Sequence, residues 1–355
     1  MDTGVSSVAP ECTVIVHDGL HSYVEPNPVF AVTGVKTIGH GAAVVEPDGR
    51  VTLVAAPAWD AARLREEAAC EVVGCDDVAA ALVTVVGPRE RVQVAGLDDV
   101  PVRFRQRLKA VVDVLVSVAS DANRAKTVAE LERARRAATI AEGAYARCLA
   151  GLRPGLREHE LVARLDVDVR SRGADDHFVL ISSSPQGDNV RAPTDRDLRP
   201  GDVVNIEISP SVDGQFVQIC RTAVLGEASP ERQAHYALLV EAFHAGMAAS
   251  RTGAIVADVV AALDAPLVAA GLAEYCRPPH IRVRGHGQGL ASLAPGDITW
   301  DNDSPLRAGV MFTLHPNQRF PRDGGYMLCG EPVLVGADGA TPLTRRPPGL
   351  DEVRV

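Results

Sequence analysis

The residues of this 355-residue chain with the means to do chemistry gather in its second half: Glu207, Gln218, Cys220, His286, His315 and Cys329. His286 is set among glycines in VRGHGQGL (283–290), and glycine lets backbone or ligand approach closely. An imidazole titrates near neutral pH and can take or give a proton without a metal. Glu207 can orient that imidazole and stabilise its cation. Gln218 can hydrogen-bond a carbonyl oxygen. His315, in TLHP, can serve as a second acid/base or hold a substrate carboxylate. Cys220 and Cys329 are of a type to act as nucleophiles beside a histidine. Two histidines with Glu207 could also form a mononuclear facial triad. Plainer roles stand beside each of these. His286 can belong to an ordinary turn, Glu207 and Gln218 to a solvated sheet face, His315 to a core, and the thiols to small buried hydrophobes.

The elements that must position these groups are legible as patterns. In GDVVNIEISPSVDGQFVQICRTAVLG (201–226), Val204, Ile206 and Ile208 alternate with Asn205, Glu207 and Ser209, the period of a strand with two different faces. Asp213-Gly214 marks a hairpin turn. A turn there sets Glu207 opposite Cys220 and Ser209 opposite Gln218, so Glu207, Gln218 and Cys220 share a face. Strands are also expected at VMFTLHP and EPVLVG. Thr127 and Glu130 form a capping-box pattern ahead of a helix with Leu131, Ala134, Ala138, Ala141, Tyr145 and Cys148 on one side. A second helix follows Pro154-Gly155, with Leu161, Leu165 and Val169 inward. Further helices are expected at about 231–250 and 255–271, the latter kinked or ended by Pro266. The first 123 residues read as α/β, with a hairpin at Pro47-Asp48-Gly49, a helix running into a strand at WDAARLREEAACEVVG, and short strands in RVQVAG and VDVLVSVAS.

Composition bounds the function. The chain is 46% apolar with a formal net charge of −10, which speaks against nucleic acid as a partner. Seven scattered cysteines without a CxxC pair fit a reduced, cytoplasmic protein. No run is long enough to span a membrane, and the amino terminus lacks a signal pattern. A small-molecule substrate is the expected partner.

The order LRPGDVVNIEISPSVDGQFVQICRT, GHGQGL, LRAGVMFTLHP and GGYMLCGEPVLVGADGATPLT resembles the pita-bread family of creatinase, prolidase and the Xaa-Pro and methionine aminopeptidases (peptidase family M24). The resemblance covers about residues 124–345. It implies an α/β amino-terminal domain (1–123) followed by an α+β pita-bread domain (124–355) with a bent antiparallel sheet, and a homodimer. In the peptidases of that family two Asp, one His and two Glu hold two metal ions, whose bridging water attacks the amide. Those positions fall here on Glu207, Gln218, His286 and His315, and then on Gly330 or Glu331. Two further family histidines fall on Leu293 and near Val190 or Arg191.

With the metal ligands so altered, the resemblance implies no metal and no cofactor. It points toward the metal-independent creatinase branch, in which a histidine is the acid/base for C–N hydrolysis. The carboxylate that branch uses near the last strand falls on Leu328 or Cys329. The expected activity is hydrolysis of a C–N or amide bond in a small polar metabolite, a tailoring step in specialised metabolism being one setting. Arg307, Arg319 and Arg322 are candidates to bind a substrate carboxylate. A catalytically inactive binding module and a mononuclear metalloenzyme of Xaa-Pro peptidase ancestry are the alternatives.

Overall fold

The computed structural model describes residues 10–19, 23, 27–89, 92–96, 100, 102, 106, 114–115, 124–289, 296–321 and 324–354. The chain divides into two compact units, residues 1–120 and 121–355. Among the described residues no helix is long and apolar enough to cross a membrane.

The first unit is built on a six-stranded mixed sheet. Its strands are β1 (Cys12–His17), β2 (Gly41–Val45), β3 (Val51–Ala55), β4 (Glu71–Gly74), β5 (Val92–Ala95) and β6 (Val114–Leu115), in spatial order β4-β3-β2-β1-β5-β6. The turn after Val45 is the expected hairpin, with Val45 opposite Val51 and Gly49 at φ 85°. The sheet buries one face against helix α3 (Val78–Val86) and the other against α1 (Pro28–Thr33) and α2 (Ala61–Glu67). Most of the VDVLVSVAS segment lies outside the described residues.

The second unit contains two helix-covered cores. Helix α4 (Val128–Gly151) opens with the expected capping box: the Thr127 hydroxyl accepts from the Glu130 amide, and the Glu130 carboxylate accepts from the Thr127 amide. Helix α5 (Glu158–Ser171) follows, and Leu161, Leu165 and Val169 are buried as expected. These two helices pack on a sheet ordered β17-β10-β8-β7, made of β7 (Asp176–Ser184), β8 (Val203–Val212), β10 (Ile219–Leu225) and β17 (Asp351–Val353), with the short β9 (Gln215–Phe216) paired to β8. All pairings are antiparallel except β10 with β17.

Helices α6 (Pro230–Ala249) and α7 (Val256–Ala269) cover the second sheet, ordered β11-β12-β15-β16: β11 (Gly285–Gly287), β12 (Met311–Leu314), β15 (Glu331–Val335) and β16 (Ala340–Pro342). A separate small hairpin joins β13 (Gln318–Phe320) and β14 (Gly325–Met327). Pro266 does not end α7, which continues to Ala269. Only Ala262 loses its backbone partner to the proline, and that residue is half-exposed, where water can take over. Among the described residues the two sheets meet at one antiparallel bridge, Cys220 with Gly330, whose amides and carbonyls bond mutually at 3.0 and 3.1 Å. That junction positions the candidate site.

Candidate active site

The turn at Asp213-Gly214 has both residues at positive φ (45° and 75°), the conformation a two-residue hairpin needs. The register it sets holds throughout: Val212 faces Gln215, Ile208 faces Ile219, and Glu207 faces Cys220. Val204, Ile206 and Ile208 therefore join the core under α4 and α5. Asn205, Glu207 and Ser209 turn the other way.

From the second sheet, β11 sets His286 opposite Thr313. The glycine before it has a definite task. A Cβ at Gly285 would lie 2.1 Å from the carbonyl oxygen of Thr313, so only glycine lets β11 close onto β12 and carry His286 to that face.

The side chains then form a chain of contacts. His286 Nε2 lies 3.0 Å from Gln218 Oε1. Gln218 Nε2 donates to Glu207 Oε2 at 3.3 Å. The Cys220 thiol lies 3.8 Å from Glu207 Oε1. The His315 ring meets the His286 ring edge-on, with centroids 5.4 Å apart. Glu207 and His286 keep part of their surface open, whereas Gln218, Cys220 and His315 are buried.

The polarity of this chain follows from its end group. When Glu207 is ionised it only accepts, so Gln218 gives it N–H and offers its oxygen to a protonated His286 Nε2, while Nδ1 lies 3.1 Å from the Gly287 carbonyl, a second acceptor. Glu207 consequently orients His286 through Gln218.

Burial sets the protonation states. It pushes the Glu207 carboxyl up to about 7, only partly opposed by the Cys220 thiol. It pushes His315 down to about 3, helped by His286 beside it, so that His315 is neutral at ordinary pH. Burial also raises the Cys220 thiol well above its ordinary value, with Glu207 adding to the shift. A thiol that stays protonated is a poor nucleophile.

Other sequence candidates fall elsewhere. Cys329 packs into the apolar core under α6 and α7 with Tyr236, Phe243 and Leu314, its thiol raised to about 12 by burial. It alternates away from the cleft, so its candidacy as a nucleophile is withdrawn. Leu328 is on the cleft side, in an apolar patch with Cys220, Ile281, Tyr326 and Val190. Arg191 pairs with Glu158 at 2.7 Å. No imidazole is therefore supplied from 190 or 191. Arg319 lies over the Tyr326 ring, 5.5 Å from its centroid, and reaches Asn189 at 3.3 Å. Arg307 is exposed ahead of β12, at the end opposite His315. Arg322 and Leu293 lie outside the described residues.

The last ligand position is also resolved. Glu331 is turned from the cleft and pairs with buried Arg221 at 2.7 Å. Gly330 is the residue at the junction. A Cβ there would lie 2.6 Å from the His315 Cβ and 3.0 Å from the Cys220 Sγ. The room for a carboxylate side chain is filled by those two neighbours.

A pair of metal ions does not fit this donor set. Among the described residues one carboxylate, Glu207, faces the cleft where a dinuclear site needs several anionic oxygens. The Nε2 atom that a metal would take is bonded to an amide. Among the described residues no group of three or more His, Cys, Asp and Glu side chains comes together as a metal site.

Residues the sequence reading passed over share this face. Thr313 is the cross-strand partner of His286, and Gln288 follows His286 by two residues. The signal for Gln288 was the strand period itself, which puts positions 286 and 288 on one side.

A family model for metallopeptidase family M24 matches residues 132–337. The chain is 30% identical to the probable dipeptidase PepE of Mycobacterium tuberculosis over 327 residues, which span 88% of this chain and 86% of the relative. Among solved structures, dipeptidase PepE from Mycobacterium ulcerans superposes with a TM-score of 0.77 at 28% identity, covering 98% of this chain and 94% of the other. X-Pro aminopeptidase from Thermotoga maritima superposes with a TM-score of 0.83 at 19% identity, covering 97% and 96%, a likeness of fold.

Proposed function

Because the chain belongs to metallopeptidase family M24 and has its pita-bread fold, we propose that it hydrolyses a C–N bond in a small polar amide, with His286 in place of a metal pair. The relatives' names as dipeptidases support an amide substrate of about dipeptide size. The observation that carries the metal-independent part is the Glu207–Gln218–His286 chain of contacts. It spends the former ligand positions on one another and leaves an imidazole at the open side of the cleft.

In this reading the entering substrate displaces Gln218 from His286, and the ring proton passes to Nδ1, 3.1 Å from the Gly287 carbonyl, which frees Nε2 as the base. His286 takes a proton from the water as its oxygen bonds to the amide carbon. It then gives that proton to the departing nitrogen as the C–N bond breaks. Gln218, held by Glu207, keeps the ring facing the cleft. Arg319, stacked on Tyr326, is suited to a substrate carboxylate.

The test is turnover on a panel of dipeptides and small amides, with metal content measured on the same preparation. Turnover that survives chelation and falls by about 10²–10⁴-fold in His286→Ala is the expected result. Two stoichiometric metal ions with chelator-sensitive activity would overturn it, as would wild-type rates in His286→Ala. Binding of panel members without turnover would instead identify a catalytically inactive binding module.

A further inference from the structure

The cleft face carries more hydrogen-bonding capacity than the protein uses. Both amide atoms of Gln288, the Thr313 hydroxyl, the Ser209 hydroxyl and His315 Nδ1 are buried and have no hydrogen-bond partner among the described residues. Gln288 and Thr313 are fully inaccessible. These groups flank the reactive ones. Thr313 faces His286 across the strands, and Ser209 follows Glu207 by two residues on β8.

The Gln288 amide nitrogen bonds to the Met311 carbonyl at 3.3 Å, so the β11–β12 register continues past Gly287. The Gln288 side chain is thereby on the His286 side of the strand. The Gly289 carbonyl accepts from the Phe216 amide at 2.7 Å, which ties this stretch to the connection that carries Gln218. A buried amide with neither donor nor acceptor used is costly in a folded chain, and such groups ordinarily have a partner.

We propose that Gln288 is a specificity-determining residue that pairs both its amide atoms with a primary carboxamide or lactam group of the substrate. This rests on the reading of the cleft as an amide site and narrows it. A Gln side chain presents N–H and C=O in one plane, side by side. Two bonds can close at once only with a group that also presents them on the same side. Primary amides and lactams do so. A trans secondary amide holds its N–H and C=O on opposite sides, and its cis form is strongly disfavoured. A carboxylate lacks the donor, and it would face Glu207 and a neutral His315 on this wall. The neutral hydroxyls of Thr313 and Ser209 add bonds without favouring charge.

Ligand-observed NMR on the full chain with 2-pyrrolidinone, acetamide, N-methylacetamide and acetate reads binding without requiring turnover. For the wild type, 2-pyrrolidinone and acetamide should bind at least tenfold more tightly than N-methylacetamide or acetate. Gln288→Met, which keeps the length and removes both polar atoms, should abolish that preference and raise the urea midpoint. Equal binding of all four probes by the wild type would overturn the proposal, a result that needs no variant. So would an unchanged preference in Gln288→Met. A lowered midpoint or failure of Gln288→Met to fold would also overturn it, since the amide would then be bonded within the protein. Selective, Gln288-dependent binding by a protein that hydrolyses nothing would leave this inference standing while removing the proposed hydrolysis.

Discussion

Arg284 and His286 stand on either side of Gly285, and the chain treats them oppositely. Arg284 is fully buried with its donors engaged. It bonds Asp264 Oδ1 at 2.7 Å, the Asn317 carbonyl at 2.8 Å and Gln318 Oε1 at 3.0 Å. Gln318 in turn donates to the carbonyls of Tyr275 and Arg319. His286 keeps partial exposure and looks onto a wall where Thr313, Gln288 and His315 have atoms with no hydrogen-bond partner among the described residues. Polar groups of the first kind hold α7, β11 and β13 together. Those of the second kind are made to meet something from outside. Residue type alone does not separate the two, since an arginine is as ready a ligand binder as a histidine. The distinction lies in whether the donors are already spent.

The strongest way to break this contrast is to cut into the Arg284 network. Asp264→Ala leaves a buried guanidinium without its carboxylate, and breaking a buried pair in that way costs about 3–5 kcal/mol. The urea midpoint should fall accordingly. His286→Ala should leave it almost unmoved, because its loss removes little packing. Similar midpoints for the two variants would mean that His286 is structural and that the contrast is false.

That contrast also marks how far the sequence could be read. The hairpin was legible because Asp213-Gly214 fixes a parity, and parity alone sets Glu207 against Cys220. The helix start at Thr127 was legible because its partner Glu130 is three residues away. The choice between Gly330 and Glu331 was not. The two positions differ by one residue, and only the pairing of Glu331 with Arg221 across two sheets decides it. The unused atoms of Gln288 and Thr313 were equally out of reach, since burial without a partner is a property of assembled strands. Which of its two roles Cys329 takes was out of reach as well, because its alternation is set by Gly330, which bridges to Cys220 across the sheets.

A gentler perturbation tests the wall itself. Gly330→Ala adds a methyl that meets the Cβ of His315 at 2.6 Å and Cys220 at 3.0 Å, with backbone fixed on both strands. Overpacking of this kind costs about 1–3 kcal/mol. The same substitution in a Cys220→Gly background should be tolerated better, because the thiol and its Cβ make way. A double-mutant cycle from urea denaturation reads that coupling. Additive effects would mean that neither Cys220 nor its thiol limits the space at position 330.

The smallest expected effect concerns Glu207, and its sign is informative. Its carboxyl titrates at about 7 in the folded chain against an ordinary value of 4.5. Between those values the folded state holds more protons than the unfolded one. Stability therefore falls as pH rises from about 4.5 to about 7, and the loss is complete above that window. The shift sets a ceiling of about 3 kcal/mol, and the partial exposure of the side chain brings the expected loss to about 1–2 kcal/mol. His315 works the other way. Its folded value of about 3 means that acid destabilises the fold as pH drops below about 6.5. Whole-protein stability against pH mixes the two, but the difference between wild type and Glu207→Gln isolates the first, since both proteins carry His315. That difference should be flat below pH 4, should shift against the wild type through the window, and should be flat again above pH 7. A flat difference throughout would mean that Glu207 is solvated like a surface carboxylate. Glu207 would then be ionised across the neutral range, and Gln218 would face a fixed charge that keeps its oxygen toward His286.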